Sequence, residues 1–248
     1  MNWPTRQRPD EPSRTTAGGA ASAARAPLSS SPGGTPDSSS SSVRRVSNGL
    51  KELLGAIDGA ERGEVLDLGP VSQATVDFFT SRGFRLHTHD LLRAWREFLS
   101  EELERPARDV RVAGRSDGSA EDGDDPALRT SRFLARHLWF EPQKFHGVLL
   151  WDSLDYLDAS AGAAVVARLA EILRPGGAVL VHLHDKTPER FWRYRILDSQ
   201  TLECVPAQAP VVFQRPIPNR EIMNIFHDFR TSKTFVGRDQ IREVLFLR

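Results

Sequence analysis

Glu64-Val65-Leu66-Asp67-Leu68-Gly69-Pro70 sets the reading of the whole chain: a short apolar run ends in an acidic residue and a glycine, and Ser72, suited to opening a helix, stands just beyond. A strand that turns directly into a helix N-terminus presents unpaired backbone N–H groups and a partial positive charge. That setting suits the polar end of a nucleotide-like ligand. A second strand-like run, residues 84–89, ends in Asp90, at the spacing of about 20 residues usual for a carboxylate that binds ribose hydroxyls.

Around this pair the apolar pattern alternates between strand and helix. Ser47 caps a leading helix with Leu50, Leu53, Leu54 and Ile57 on one stripe. The helix from Ser72 packs through Ala74, Val76, Phe78 and Phe79 and stops at Gly83, which tolerates a left-handed cap. Leu92, Trp95, Phe98, Leu99 and Leu103 mark a further helix that Pro106 is expected to limit, with a charged, Gly-rich surface loop over 105–125. Residues 133–140 read equally as helix or as a third strand. Residues 147–151 form a continuous apolar run, as in a strand buried on both faces. A helix through Val165, Val166, Leu169, Ile172 and Leu173 then meets the turn Arg174-Pro175-Gly176-Gly177, and the next strand covers 178–183.

This alternation predicts an α/β, Rossmann-like, doubly wound and mostly parallel sheet. Its end differs. Residues 194–196 and 202–205 pair as a hairpin, a helix covers about 219–229, and two runs, 233–236 and 241–247, are separated by only 237–240. So short a link makes that last, C-terminal pair antiparallel.

Residues 1–46 are Ser, Pro, Gly, Ala and Arg without apolar period, and are expected to be a disordered tail ahead of one domain, 47–248. Asp10 and Glu11 interrupt the tail's arginines, which argues against a transit peptide. Lys plus Arg and Asp plus Glu number 33 each, so no net field favours nucleic acid or an anionic membrane. No apolar stretch reaches the ~20 residues of a membrane span, and the one cysteine, Cys204, excludes internal disulfides and thiolate metal clusters. A cytosolic (cytoplasmic) protein is expected.

At this point the chain resembles the class I S-adenosylmethionine-dependent methyltransferases of the small, type 11-like kind, over roughly residues 48–248. The resemblance rests on Leu66-Asp67-Leu68-Gly69 after the first strand of the sheet and Asp90 after the second. It continues in Lys144-Phe145-His146-Gly147-Val148-Leu149-Leu150 entering the fourth, Leu173-Arg174-Pro175-Gly176-Gly177 before the fifth, and the closing antiparallel pair. It implies S-adenosylmethionine as cofactor, with Leu68, Gly69 and Pro70 against the methionine part and Asp67 supporting the loop. It also implies Asp90 and Leu91 at the ribose, and Trp151 and Asp152 near the methyl group. Residues 187–218 are expected to form a lid or insertion over that pocket. Two departures stand out: Pro70-Val71-Ser72-Gln73 replaces the family's further glycines, which leaves the backbone less free to approach a ligand, and His146 stands where an Asp is usual.

Methyl transfer from a sulfonium is an in-line displacement in which near-attack positioning supplies roughly 7 to 11 kcal/mol, so few catalytic side chains are required. His184 is the candidate general base if the acceptor must lose a proton. The acceptor implied is a small molecule or peptide, since Trp151-Asp152-Ser153-Leu154 lacks the Asp/Asn-Pro-Pro-Tyr arrangement of many base and amide methyltransferases. The alternative is the same fold with a decayed cofactor loop, acting as a binding or scaffold protein. A nicotinamide-dependent dehydrogenase fits less well, because Gly-x-Gly-x-x-Gly is absent.

Other residues carry simpler readings beside these. Asp90 also suits a helix cap, and Asp152 and Asp155 suit solvent-facing turns. Trp95, Phe98, Trp139 and Phe140 read as core. His87-Thr88-His89-Asp90 and His182-Leu183-His184-Asp185 look like metal ligands in pairs, but two strands separate them in the expected sheet, roughly 14 Å. No metal site is expected.

Overall fold

The computed structural model describes residues 41–59, 63–112, 125–237 and 239–248, with backbone alone for 105–112. Residues 1–40 and 113–124 of the expected tail and loop lie outside them. In chain order the elements are β1 (Val43–Val46), α1 (Asn48–Ile57), β2 (Glu64–Asp67), α2 (Gln73–Thr80), β3 (Arg85–Thr88), α3 (Leu91–Val112), α4 (Pro126–His137) and β4 (Phe145–Trp151). A single 3-10 turn, Ser153–Tyr156, leads to α5 (Ala159–Ile172), β5 (Leu173–His184), β6 (Phe191–Ile196), β7 (Thr201–Ala207), α6 (Asn219–Ile225), β8 (Thr231–Val236) and β9 (Ile241–Leu247).

Six strands form one sheet in the order β3-β2-β4-β5-β9-β8, the first four parallel and β9 and β8 antiparallel. This is the Rossmann-like α/β sheet with a C-terminal antiparallel pair that the sequence predicts. The alternating faces of the strands explain its two cores. Leu66, Val148, Leu150, Val179 and Val181 pack with α3, α4, α5 and α6, while Val65, Leu149, Leu180 and Leu245 pack with α1, α2 and the β6–β7 hairpin.

Local signals act as read at several places. Ser47 Oγ accepts from the Leu50 amide at 3.0 Å and opens α1. Gly83 takes φ 81° just after α2. Gly176, φ 80°, turns the chain within β5, where pairing with β4 slips between Leu173 and Ala178.

Several features differ from the sequence expectation. No strand forms at residues 133–140, where one was read as an alternative to helix. Asp125 caps α4 through the Ala127 amide at 2.9 Å with Pro126 in its first turn, and Thr130 and Phe133 are buried at helical spacing, so the ambiguous run is helical up to His137. Trp139, expected in the core, lies past the end of that helix, 72% exposed, and stacks on Phe140. The backbone of α3 runs through Pro106 to Val112, since a proline forfeits one backbone bond without ending a helix whose neighbouring turns keep theirs. Finally, α6 stops at Ile225. Phe226 and Phe229 extend its apolar period because Phe226 stacks on Phe246 at 3.8 Å, not because they are helical.

The boundary drawn at residue 46 cuts a strand. Val43–Val46 pairs antiparallel with β7, making a second, three-stranded sheet β1-β7-β6. Behind it Arg45 reaches Glu243 of β9 at 2.9 Å, and Glu243 also accepts from the Gly49 amide at 2.6 Å. Gly49 lies so close under Glu243 and Leu180 that an added Cβ would meet Leu180 Cδ1 at 2.5 Å.

Candidate functional site

At the carboxyl ends of β2, β3 and β4 the structure brings Leu68, Gly69, Pro70, Asp90, Trp151 and Asp152 around one small cavity, closed from the other side by Phe191, Trp192 and Tyr194 of β6. Asp67, 2% exposed, accepts from the Gly69 amide at 3.0 Å and from Trp151 Nε1 at 2.7 Å. Trp151 sits at φ 52°, unusual for a residue with a side chain, and its ring stacks on Tyr194 with centroids 5.1 Å apart. The indole lies directly over the loop: a Cβ built on Gly69 would meet Trp151 Cδ1 and Nε1 at 2.7 Å. Leu91 is fully buried, and its amide donates to the Leu68 carbonyl at 3.1 Å. Asp90 Oδ1 accepts from the Arg93 amide at 3.1 Å, the helix-cap role.

The space left is about 10 Å³, roughly one water molecule, whereas sites for ligands of nucleoside size run to roughly 300 Å³ and more. The surface of Gly69 that the resemblance gives to the methionine part is covered by Trp151. With the indole in this position the groove does not fit S-adenosylmethionine.

The acids around it are buried and perturbed. Burial pushes Asp67 up to about 6, against the lowering effect of its bonds from Trp151 and Gly69. Burial also pushes Asp152 up to about 7, opposed chiefly by the charge of His184. Asp152 and Asp155, read as solvent-facing turn residues, are 3% and 0% exposed, because the 3-10 turn after β4 folds them under β5 and β6. Tyr194 Oη donates to Asp152 Oδ2 at 3.4 Å.

Beyond the carboxyl end of β5, Asp155 Oδ2 accepts from the His184 amide at 2.8 Å and lies 2.9 Å from His184 Nδ1. Burial disfavours the charged ring, but the Asp155 hydrogen bond and the charges of Asp152 and Asp155 outweigh it, and the His184 pKa rises. With Nδ1 held by the carboxylate, Nε2 is left buried and without a hydrogen-bond partner. Other atoms of His184 line a separate cavity of about 310 Å³ together with Lys186, Arg190, Trp192 and Asp239, while Nε2 itself lies beneath that surface. His182, two residues earlier, is fully buried against Trp151 and Tyr194, and burial holds its pKa well below the usual imidazole range. Among the described residues no three His, Cys, Asp or Glu side chains gather as a metal ion would require.

Sequence reasoning missed Tyr194, Trp192 and the Asp155–His184 pair. Asp155 follows Asp152 at a helical interval, which was a signal of sorts. Nothing local marks Tyr194, since its partner Trp151 lies on another strand.

No protein-family model and no curated protein matches the chain. Solved structures do. One is the 1,6-didemethyltoxoflavin-N1-methyltransferase of Burkholderia thailandensis, solved with 1,6-didemethyltoxoflavin and S-adenosylhomocysteine: 16% identity, 81% of this chain and 78% of that one covered, TM-score 0.41. Others are S-adenosylmethionine-dependent methyltransferases from Clostridium acetobutylicum (11% identity, 80% and 90% covered, TM-score 0.39) and Aquifex aeolicus (10%, 80% and 88%, TM-score 0.38). At these identities and TM-scores they carry over no residue role, ligand or reaction.

Proposed function

We propose that this protein keeps the methyltransferase-like fold but has given its cofactor groove over to side-chain packing, so that it acts by binding rather than by methyl transfer. The observation that carries this is Trp151, seated on Gly69, bonded to Asp67 and stacked on Tyr194, where the cofactor would lie. Such a plug is part of the core, and its removal would expose the buried acids Asp67 and Asp152.

Methyl transfer from S-adenosylmethionine to a small-molecule or peptide-like acceptor is the second reading. It is favoured by one observation: Leu68, Gly69, Pro70, Asp90, Trp151 and Asp152 do converge on a single cavity. On that reading the Trp151 indole must leave Gly69 and Asp67, and the β6–β7 hairpin must swing away with Phe191, Trp192 and Tyr194. Titration calorimetry of the full chain with S-adenosylmethionine and S-adenosylhomocysteine separates the two. The binding reading expects no heat with either; micromolar affinity for one of them refutes it and selects the enzyme.

A further inference from the structure

The run His87-Thr88-His89 at the end of β3 meets the end of α4 through its rings. The His89 amide donates to the Asp67 carbonyl at 2.8 Å, which fixes this residue just past the strand. His137 is the last residue of α4. Its ring centre lies 5.4 Å from that of His89, 4.7 Å from that of Phe133 one turn earlier, and 6.4 Å from that of Phe98 on α3. The segment leaving α4 continues along β3, where Phe140 packs against His87 at 6.0 Å. We propose that His89 and His137 form an acid-operated latch: as neutral rings they hold the end of α4 on β3, and a proton on either one opens that contact.

A charged imidazole donates from both ring nitrogens and needs an acceptor at each. The Nε2 atoms of His89 and His137 are both closed to solvent and without a hydrogen-bond partner. A neutral ring leaves such a nitrogen as a bare lone pair at modest cost, whereas an enclosed, charged N–H without an acceptor costs far more. A proton on one ring also sets its charge against the other ring, and two charged rings repel. His87 differs, since the Glu64 carboxylate lies 3.1 Å from its Nε2, with Lys144 and Arg85 beside it.

The charges around the pair do not supply the missing acceptors. Asp90, beside His89, caps α3 through the Arg93 amide, and the Arg93 charge opposes it. On α3, Glu97 faces Arg93 and Arg96, and Glu101 is bonded to Arg136 of α4. Burial above all holds the pKa of both rings below the usual 6.5, helped at His137 by His89 and Arg136. The stability that the neutral pair contributes is therefore present above pH 6.5 and is lost as pH falls below it. Among the described residues no third ligand joins the pair as a metal ion would require.

The latch is independent of the Gly69 groove and of anything that groove binds. Hydrogen exchange of the full chain, corrected for the intrinsic effect of pH on amide exchange, is followed by mass spectrometry at pH 7.5 and pH 5.5. Segment 130–140 should lose about tenfold or more of its protection at the lower pH, since each pH unit below 6.5 shifts a proton-linked opening by up to about tenfold per ring. The core strand segment 178–183 should keep its own. Combining His89→Gln with His137→Phe keeps a ring on Phe133 and removes both proton sites, so the loss should shrink to about twofold or less. Should that variant fail to fold, the wild type still decides: the His89 and His137 ring signals in nuclear magnetic resonance should titrate below pH 6.5, together with the loss of protection. The latch is overturned if segment 130–140 stays protected at pH 5.5, if 178–183 opens in step with it, if the folded double variant loses as much protection as the wild type, or if either ring titrates at or above pH 6.5.

Discussion

Trp151 pays for its left-handed backbone, a cost of about 1 to 2 kcal/mol, with two contacts: the Nε1 bond to Asp67 and the face of Tyr194. Trp151→Phe keeps the ring but strips a donor from a buried carboxyl group. It is expected to destabilise the protein by about 1 to 3 kcal/mol in urea unfolding, and an unchanged midpoint would remove Asp67 as the reason for the tryptophan. Asp152 allows a second test. Its folded pKa of about 7 lies above the ordinary 3.8, so the stability it contributes in its neutral form is present below pH 4 and is lost as pH rises to about 7. Asp152→Asn stays neutral throughout. Relative to wild type it should therefore gain stability from pH 4 to 7 and then level off, and equal stability differences at pH 4 and pH 8 would contradict the raised pKa. Asp67, Gly69 and Asp90 were legible as a group because they end adjacent strands. That Trp151 would fill the space between them was not, because the ring stacked on it comes from a hairpin much later in the chain.

Strands and helices were read well where the signal was local. The antiparallel end followed from the short link 237–240, and the hairpin β6–β7 from two runs around Asp198 and Ser199. The helix in place of a third strand required weighing its cap, Asp125-Pro126, above its apolar content, and β1 had no readable pattern at all: Val43-Arg44-Arg45-Val46 follows a serine run and becomes a strand only by pairing with β7. Beside that ladder, charge ties β1 to β9. Arg45, its side chain 9% exposed, meets Glu243, 2% exposed. Arg45→Met leaves Glu243 buried without its cation, and the loss should be roughly 3 to 5 kcal/mol. Adding Glu243→Gln, which removes the charge but keeps an acceptor for the Gly49 amide, should restore much of it. A double-mutant cycle by chemical denaturation measures this, and additive losses would show that the pair does not hold β1 in place.

For the molecule as a whole, 33 acidic residues balance 33 basic ones, so repulsion between copies is weakest near neutral pH. Solubility should pass through a minimum around pH 7 and rise toward pH 5 and pH 9, as precipitation assays would register; a flat profile would point to patches rather than net charge as the determinant. The fold places its lone thiol where it can report on the same whole. Cys204 is buried in the middle strand of the three-stranded sheet, beside Val43 and Tyr194, and burial pushes its pKa up to about 12. A disulfide reagent therefore finds almost no thiolate until that sheet lifts. The chain carries its own clock for this event: the colour released by the reagent over time counts how often the aromatic cover comes off the strands beneath.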